Sequence, residues 1–274
     1  MAPDSKPATD NDDFELRFEA WFDAAEQRQL ESLRFAEIRR AIQALSKRYI
    51  FDQRDQGPIR AFDGAGKRAA FALYFTPLHL LTVREIAIEL QQRGRGTLLD
   101  LGCGSGAASL GWALGCTGTP LVEGVDQNGW ACDEAQRNWR KFGLKGRARR
   151  QKLAQLKIGK NVDTILLGWA VNELDASGRD ELLQKLEAAL RDGAALCVIE
   201  PISKKISPWW DSWCKRLERF DPRVDEWRFN TPLPRRLAEY DRAAGLDHRE
   251  RTARSLFVGD ASARKRARRR LAQK

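Results

Sequence analysis

The sequence predicts an α/β protein with a seven-stranded, mainly parallel sheet, preceded by a helical extension. From residue 97 onward, short apolar segments alternate with helical patterns, and a glycine-rich turn follows the first of these segments. Such alternation places helices on both faces of a parallel sheet. The predicted strands are 97–101, 121–125, 147–152, 163–168, 194–200, a sixth at 225–229 or 246–251, and a seventh at 252–258. The predicted helices between them are 105–115, 129–142, 178–191, about 208–220 and 233–244.

The first part of the chain shows helical patterns without strands. Residues 1–13 are polar and acidic, and we expect them to be disordered. Apolar residues recur at helical spacing over 14–45, with a break expected near 27–29. Further helices are predicted at 67–75 and 76–92, the second starting at Thr76-Pro77. The resulting division is a disordered start (1–13), a helical region (14–93), an α/β domain (94–260) and a basic tail (261–274).

Alternating glycines end the first predicted strand. Residues 98–106 have the sequence Leu-Leu-Asp-Leu-Gly-Cys-Gly-Ser-Gly. Glycine adopts backbone angles that other residues avoid and lets a ligand approach the backbone closely. The dinucleotide fingerprint G-x-G-x-x-G differs, because the spacing here is G-x-G-x-G with an acid two residues before the first glycine. A phosphate-binding loop is excluded because no Gly-Lys-Ser/Thr follows. A glycine turn without a ligand, in another fold, stays open as an alternative.

A second acidic residue, Asp126, follows the glycine turn at the spacing found in nucleotide-binding folds. Residues 121–125 form the second predicted strand, and Asp126 ends it, 20 residues after Gly106. In doubly wound nucleotide sites an acid at about this spacing binds ribose hydroxyls. A loop carboxylate without a ligand is the alternative.

Together these motifs resemble those of class I S-adenosylmethionine (SAM)-dependent methyltransferases. The resemblance implies a Rossmann-like class I methyltransferase fold with SAM as the cofactor. It also implies that Asp100 accepts hydrogen bonds near the methionine ammonium. The implied cofactor-binding residues are Asp100, Gly102, Cys103, Gly104, Ser105, Gly106, Asp126, Gln127 and Trp169.

Candidate residues for the methyl acceptor follow the fourth and fifth predicted strands. Trp169 is placed to pack on the cofactor or stack on an acceptor base, and a core tryptophan is an equal alternative. Asn172 and Glu173 are placed to bond an acceptor or to cap the next helix, and Glu200 is either active or an ordinary strand-end carboxylate. The predicted catalytic residues are Trp169, Asn172, Glu173 and Glu200. The N/D-P-P-Y/F pattern of amino-group methyltransferases is absent, so the acceptor atom is not assigned.

Basic residues are concentrated in two places. The formal net charge is +10, and seven positive charges lie in the tail, at Arg264, Lys265, Arg266, Arg268, Arg269, Arg270 and Lys274. A second cluster comprises Arg137, Arg140, Lys141, Lys145, Arg147, Arg149, Arg150 and Lys152. Such clusters attract phosphates, and a solubilising tail with a solvated face is the alternative. We therefore expect RNA or a ribosomal subunit as a partner.

Three tryptophans lie among basic residues in the segment 207–216. Exposed aromatic faces stack on RNA bases, and arginine or lysine binds phosphate. The alternative, which the sequence slightly favours, is a helix that packs its tryptophans on the sheet.

Short motifs also resemble a methyltransferase-like family associated with the mitochondrial small ribosomal subunit. They are Tyr74-Phe75-Thr76-Pro77, the turn at 99–106, Asn172-Glu173-Leu174 and Ile199-Glu200-Pro201. This resemblance implies a ribosomal RNA methyltransferase or a ribosome assembly factor. The mitochondrial members carry a cysteine cluster for a metal centre, and this chain lacks matching cysteines, so no metal is predicted.

The functional prediction is a SAM-dependent methyltransferase that acts on RNA, with ribosomal RNA favoured. A small-molecule methyltransferase and a non-catalytic, SAM-binding assembly factor are the alternatives. No apolar signal-peptide core is present, and the apolar runs are short for a membrane span, which predicts a cytoplasmic protein without membrane contact. Five scattered cysteines without a C-x-x-C pair suggest neither a zinc site nor a disulfide framework.

Overall fold

The structure is a computed structural model that describes residues 10–51 and 62–260. The predicted basic tail, 261–274, lies outside the described residues, as do residues 1–9. Residues 10–13 were predicted to be disordered, and the structure corrects this, because the first helix begins at Asp10. The buried rings of Phe14 and Phe18 anchor this helix, so its first turn is ordered with them.

Seven strands form one mixed sheet, as predicted. They are β1 (Thr97–Leu101), β2 (Leu121–Asp126), β3 (Gly146–Arg150), β4 (Val162–Gly168), β5 (Ala195–Glu200), β6 (Arg223–Phe229) and β7 (Arg251–Val258). Their order across the sheet is β3-β2-β1-β4-β5-β7-β6. Only β7 runs in the direction opposite to the other six strands. Of the two positions predicted for the sixth strand, 225–229 is confirmed and 246–251 is wrong, because β6 pairs with β7 along its whole length.

Nine α-helices surround the sheet in the described part of the chain. They are α1 (Asp10–Leu30), α2 (Phe35–Phe51), α3 (Ala65–Ala70), α4 (Thr76–Glu89), α5 (Ala107–Gly115), α6 (Gly129–Lys141), α7 (Ala176–Asp192), α8 (Trp210–Leu217) and α9 (Arg235–Ala243). The break predicted near 27–29 lies instead at 31–34. The backbone N–H of Arg34 donates to the Glu37 carboxylate at 2.8 Å, which fixes the start of α2.

Successive side chains along the strands point to opposite faces of the sheet and pack into two hydrophobic clusters, one on each face. Leu98 of β1 faces the cluster that includes α1 to α6 and α9, whereas Leu99 and Leu101 face the cluster that includes α7 and α8. In the first cluster, Trp21 of α1 packs against Phe142 with ring centroids 5.6 Å apart. The N-terminal helices therefore share a core with the sheet.

A π-helical turn, Phe71–Phe75, joins α3 to α4 in one continuous helical run. The sequence pattern predicts two helices here because proline is favoured in the first turn of a helix, which makes Thr76-Pro77 a start signal. Among the described residues, this run, Ala65–Glu89, is the one helix long and apolar enough to cross a membrane by length and composition. However, 78% of its most apolar window is buried inside the protein, as in a core helix.

Candidate active site

Three glycines form the turn between β1 and α5, and all have left-handed backbone angles. The φ values of Gly102, Gly104 and Gly106 are +71°, +51° and +76°. A Cβ atom on Gly102 would lie 2.7 Å from the Ala170 Cβ, and one on Gly106 would lie 2.6 Å from the Trp139 Nε1. A Cβ on Gly104 would meet only the Phe62 ring, at 3.7 Å. The outer glycines are thus required by packing, whereas Gly104 borders open space where a ligand can approach.

Asp100 lies fully buried at the end of β1, beneath this turn. Its Oδ2 accepts a hydrogen bond from the Ser109 backbone N–H at 3.1 Å. Its Oδ1 has no hydrogen-bond partner within the described ranges. Burial raises the pKa of the Asp100 carboxyl from 3.8 to about 6. An unpaired buried carboxylate oxygen is costly, so this position suits a ligand that brings a hydrogen-bond donor.

Asp126 ends β2 on the other side of the turn. Its Oδ2 accepts from the Gly104 N–H at 2.9 Å, and its Oδ1 accepts from the Asn128 N–H at 2.8 Å. Burial raises the pKa of Asp126, while these backbone hydrogen bonds oppose the shift. Gln127 follows with an exposed side chain, and its carbonyl oxygen accepts from the Arg150 Nε at 3.0 Å. The two sequence-predicted acids therefore flank one glycine turn.

The side chains of the remaining two residues of the turn, Cys103 and Ser105, contact other protein residues and do not face open space. The thiol of Cys103 is buried and points toward β2, since a Cβ on Gly124 would lie 2.9 Å from its Sγ. The Ser105 hydroxyl lies 2.6 Å from the Thr76 hydroxyl, and the Ser105 carbonyl accepts from the Asn138 side-chain amide at 2.9 Å. Cys103 and Ser105 can therefore contribute to ligand binding through their backbone, while their side chains fix the turn.

The sequence around this turn matches a known domain. Residues 98–193 match the family model described as a methyltransferase domain, and this segment spans the glycine turn, Asp126 and the end of β4. The chain carries a methyltransferase domain over these residues. No curated protein sequence matches the chain.

Solved methyltransferase structures resemble this domain at low sequence identity. The mitomycin 7-O-methyltransferase MmcR aligns with a TM-score of 0.51 at 14% identity, over 73% of this chain and 59% of that chain. A SAM-dependent methyltransferase from Aquifex aeolicus aligns with a TM-score of 0.46 at 16% identity, over 67% and 92% of the two chains. The magnesium protoporphyrin IX methyltransferase from Synechocystis, solved with SAH bound, aligns with a TM-score of 0.45 at 19% identity, over 66% and 82%. The alignment with MmcR supports the Rossmann-like methyltransferase fold.

The residues of the turn fit SAM. The unpaired Asp100 oxygen suits a cationic donor such as an amino-acid ammonium, Gly104 leaves room beside the backbone, and Asp126 offers a partly exposed carboxylate for hydroxyl groups. When bound, SAM supplies an electrophilic methyl group on a sulfonium. The protein then has to hold the acceptor in line and exclude water. The individual roles of these residues stay predictions.

Trp169 follows β4 directly, beside the glycine turn. It adopts a left-handed backbone angle, φ +55°, which is rare for a bulky residue and is often found at functional sites. Its backbone N–H donates to the Ile199 carbonyl at 2.9 Å, and its neighbour Ala170 packs on Gly102. The imidazole of His79, on α4, stacks on the indole with centroids 3.8 Å apart and planes 10° apart. Trp169 is therefore partly exposed, and His79 covers one face of its indole ring.

Glu173 lies in a short 3-10 turn after Trp169, Val171–Glu173. Although the residue is exposed to solvent, surrounding protein raises the pKa of its carboxyl to about 7, and the nearby charge of Asp126 raises it further. Of the two predicted catalytic carboxylates, Glu173 is the exposed one, and its ionisation falls near neutral pH.

Asn172 and Glu200 are brought together, but within a network of protein side chains. The Asn172 amide donates to the Glu200 Oε2 at 2.6 Å and to the Ser207 hydroxyl at 3.1 Å, and its Oδ1 accepts from the Trp209 Nε1 at 2.7 Å. The Val171 N–H donates to the Glu200 Oε1 at 3.2 Å. This arrangement fixes the turn after β4, which supports a structural role for both side chains.

Burial dominates the ionisation of Glu200. It raises the pKa of the fully buried Glu200 carboxyl to about 8, against backbone hydrogen bonds and the nearby Arg254 guanidinium. Arg254 itself lies 4.2 Å from the Trp210 ring centroid and donates to the Ser207 carbonyl at 3.1 Å. The sequence predicted that the Glu200 carboxylate would face the site, but the structure places it fully buried beneath the turn after β4.

The tryptophan-rich segment packs against the sheet. Trp209, Trp210 and Trp213 are all buried in the cluster with α7. The packing interpretation, which the sequence slightly favoured, is confirmed. The predicted stacking of these rings on RNA bases is wrong, because apolar burial on the sheet covers their faces.

Helix α4 and the residues before it contribute contacts to the site that no local sequence signal indicated. Thr76 and His79, one turn apart on α4, contact Ser105 and Trp169 respectively. Phe62, close to Gly104, packs on Trp130 with centroids 5.2 Å apart, and Arg68 lies 5.6 Å from the Trp130 ring. The motif Tyr74-Phe75-Thr76-Pro77 marked this stretch by resemblance, but nothing local showed which elements it would contact.

A separate cavity of about 250 Å³ lies near the amino ends of β4 and β5. Its lining includes Leu156, Lys160, Lys185 and Asp192. Lys185 already donates to the Ala154 carbonyl at 2.6 Å. The cavity lies at the edge of the sheet opposite the glycine turn and is not part of the site.

Proposed function

We propose that the protein methylates RNA, with ribosomal RNA as the favoured substrate. The observation that supports this proposal is an exposed band of positive charge at the β3 edge of the sheet, next to the cofactor site. We call it the basic edge, and its residues are Arg140, Lys141, Lys145, Arg147, Arg149, Arg150 and Lys152.

Most charges of the basic edge are not neutralised by the protein. Arg149 lies 3.5 Å from the Glu123 carboxylate, a long and exposed pair. Arg140, Lys141, Lys145, Arg147 and Lys152 form no ion pair with any residue in 10–51 or 62–260. Uncompensated cations at this density attract a polyanion and make its binding dependent on salt.

The basic edge extends to the cofactor site. Arg150 lies directly opposite Asp126 in the pairing of β2 with β3. From β3 to β4, where Trp169 lies, are three strand spacings, or roughly 14 Å. An RNA strand bound along β3 could therefore present a nucleotide at the end of β4. The basic tail would add to this attraction, and the resemblance to the ribosomal family favours ribosomal RNA. A cytoplasmic location, where ribosomes are assembled, is part of this proposal.

A small-molecule acceptor is the second candidate. Phe62 and Trp130 near Gly104, and His79 over Trp169, narrow the space around the turn, which suits a compact acceptor. The mitomycin 7-O-methyltransferase MmcR, whose name indicates a small acceptor, has the same fold. The third candidate is a SAM-binding ribosome assembly factor without transfer activity.

The test is transfer of label from methyl-labelled SAM to separated cell fractions. Total RNA, ribosomal subunits, protein and small metabolites are incubated with the full chain. We expect label in RNA, mostly from ribosomal subunits. Label confined to metabolites would support the second candidate, and tight SAM binding with no transfer to any fraction would support the third.

A matched pair of variants tests the basic edge. The first replaces Arg140, Lys141, Lys145 and Arg147 with Gln, and the second replaces with Gln four exposed cations near the amino ends of β1, β4 and β5, namely Arg95, Lys157, Lys160 and Arg191. The first variant should bind RNA at least 10-fold more weakly at 150 mM salt and lower the salt slope by about 3, because each lost phosphate contact contributes about 0.7–0.9. Equal losses in both variants would show that net charge, and not this surface, drives binding.

A further inference from the structure

His79 is held beside the methyl-transfer site by two contacts. Its imidazole stacks on Trp169, which directly follows β4. One helical turn earlier, the Thr76 hydroxyl lies 2.6 Å from the Ser105 hydroxyl in the glycine turn. The helix α4 is thus fixed at the turn, and the ring of His79 is fixed on Trp169, one of the residues predicted to contact the acceptor.

The nitrogens of this ring are unpaired in the part of the chain that the structure describes. Across the described residues, neither nitrogen of His79 has a hydrogen-bond partner. The residue is partly exposed, and its nitrogens are not among the buried polar atoms left unpaired. Buried ring nitrogens normally find partners in a folded protein, so unpaired nitrogens on a partly exposed ring are available to a ligand.

The environment keeps the ring neutral. Burial among protein atoms lowers the pKa of His79 to about 4. At neutral pH one ring nitrogen is therefore a donor and the other an acceptor. A neutral acceptor nitrogen can bond the N–H or O–H of a nucleophile and leave its lone pair free to point at the methyl group.

We propose that His79 is a catalytic residue that binds the methyl acceptor through a ring nitrogen, with Trp169 holding the ring in place. The contact orients the acceptor atom for in-line attack, which is where alignment contributes most to the rate. The proposal rests on the methyl-transfer activity and does not require that the acceptor be RNA.

Three substitutions separate this role from packing. His79→Phe keeps a ring for the stack and removes both nitrogens. His79→Gln and His79→Asn remove the ring and place amide atoms near the positions of Nε2 and Nδ1. If the nitrogen matters, kcat/KM for the labelled fraction should fall by about 100-fold in the Phe variant, and one amide variant should recover at least 10-fold of that loss. SAM affinity by calorimetry and the melting temperature should stay near wild type in the Phe variant.

A Phe variant that is more active than both amide variants would overturn the proposal. If the Phe variant is as active as wild type and both amide variants are impaired, His79 only supports Trp169. The comparison uses whichever fraction wild type methylates, so label in metabolites instead of RNA rejects the RNA proposal and leaves this test intact.

If no fraction accepts label, the transfer activity is absent and the proposal fails with it. A second measurement applies when the labelled fraction is RNA. The chain has only two histidines, so ¹⁵N-histidine labelling gives two sets of ring signals, and the Phe variant assigns those of His79. With S-adenosylhomocysteine present, a mixture of the four ribonucleosides should shift the His79 nitrogens and leave those of His248 unchanged. Where RNA is the labelled fraction, unshifted His79 signals at saturating nucleoside would overturn the proposal.

Discussion

The hydroxyl of Thr76 lies 2.6 Å from the hydroxyl of Ser105, and both side chains are buried. Thr76 begins α4, whereas Ser105 belongs to the glycine turn after β1. One hydrogen bond therefore couples the N-terminal helices to the part of the chain that is expected to bind SAM. A second path leads to the same residue, since the Trp21 indole donates to the Asn138 Oδ1 at 2.9 Å and the Asn138 amide donates to the Ser105 carbonyl.

A double-mutant cycle on Thr76 and Ser105 should show strong coupling. Thr76→Val and Ser105→Ala each leave one buried hydroxyl unpaired, and each should lower the free energy of unfolding by about 1–2 kcal/mol. The double variant leaves no unpaired hydroxyl and should lose less than the sum of the two, as measured by urea denaturation. Simple additivity would show that the two hydroxyls do not interact.

Asp100→Asn should abolish SAM binding and yet stabilise the ligand-free protein at pH 7. The substitution removes the negative charge that a cationic donor requires. It also removes the free-energy cost of burying a charged carboxylate, whose pKa is raised from 3.8 to about 6. That shift corresponds to about 3 kcal/mol as an upper bound. Calorimetry with SAM and denaturation without it measure the two effects. Asp163→Asn is the control, because Asp163 accepts the Thr97 N–H at the far end of β1 and should leave SAM affinity unchanged.

The pH dependence of stability and of SAM affinity should have opposite signs. Because the pKa of Asp100 is raised in the folded protein, its contribution to stability is present below about pH 4 and is lost as pH rises through about 6. SAM affinity should instead weaken as pH falls through about 6, since the carboxyl then becomes protonated. Calorimetry between pH 5 and 8 checks this, and the Asp100→Asn variant should lack the Asp100 part of the stability profile. Retention of full affinity at pH 5 would show that the charged carboxylate is not required.

Gly104→Ala and Gly106→Ala should differ sharply although both glycines have left-handed angles. At Gly106 the new methyl would also meet Trp139 and Ala135, so we expect at least 3 kcal/mol of lost stability or failure to fold. At Gly104 the methyl meets only open space and Phe62, so the cost should be about 1–2 kcal/mol. The Gly104 variant should fold and bind SAM much more weakly. A Gly104 variant with wild-type SAM affinity would place the cofactor away from this backbone.

Asn172→Ala should act mainly on stability. It leaves the Trp209 indole N–H and the Glu200 Oε2 without their partner, which should cost about 2–3 kcal/mol in chemical denaturation. Trp209→Phe removes a single bond from the same network and should cost less. An Asn172→Ala protein with unchanged stability but no transfer activity would restore the predicted catalytic role of this side chain.

Local sequence signals predicted the elements that depend on local chemistry. The alternating glycines, Asp100 and Asp126 were identified from spacing alone, because a tight turn and a strand-end acid are properties of a few consecutive residues. The strands were located within a few residues for the same reason. Residues 10–13 and the break at 31–34 were misjudged, because the extent of a helix depends on what its apolar face packs against.

Long-range contacts decided the rest. The partners of Asn172, namely Glu200, Ser207 and Trp209, are separated from it by 28 to 37 residues, so its engagement in a network has no local signature. The three buried tryptophans of 207–216 carry the same residue types as an RNA-stacking surface, and only packing distinguishes the two. His79 becomes notable only when α4 is placed over the end of β4.

The π-helical turn at Phe71–Phe75 has a consequence for insertions and deletions. A π turn accommodates one residue more than an α-helical turn, so shortening this segment by one residue would restore an ordinary helix and leave α4 close to its present orientation. Lengthening the segment, or converting it to α-helical geometry at its present length, would instead rotate everything downstream by up to about 100°, the advance of one residue. The Thr76 hydroxyl and the His79 ring would both leave their partners, although neither residue had been changed. The extra residue thus sets the rotational phase of α4.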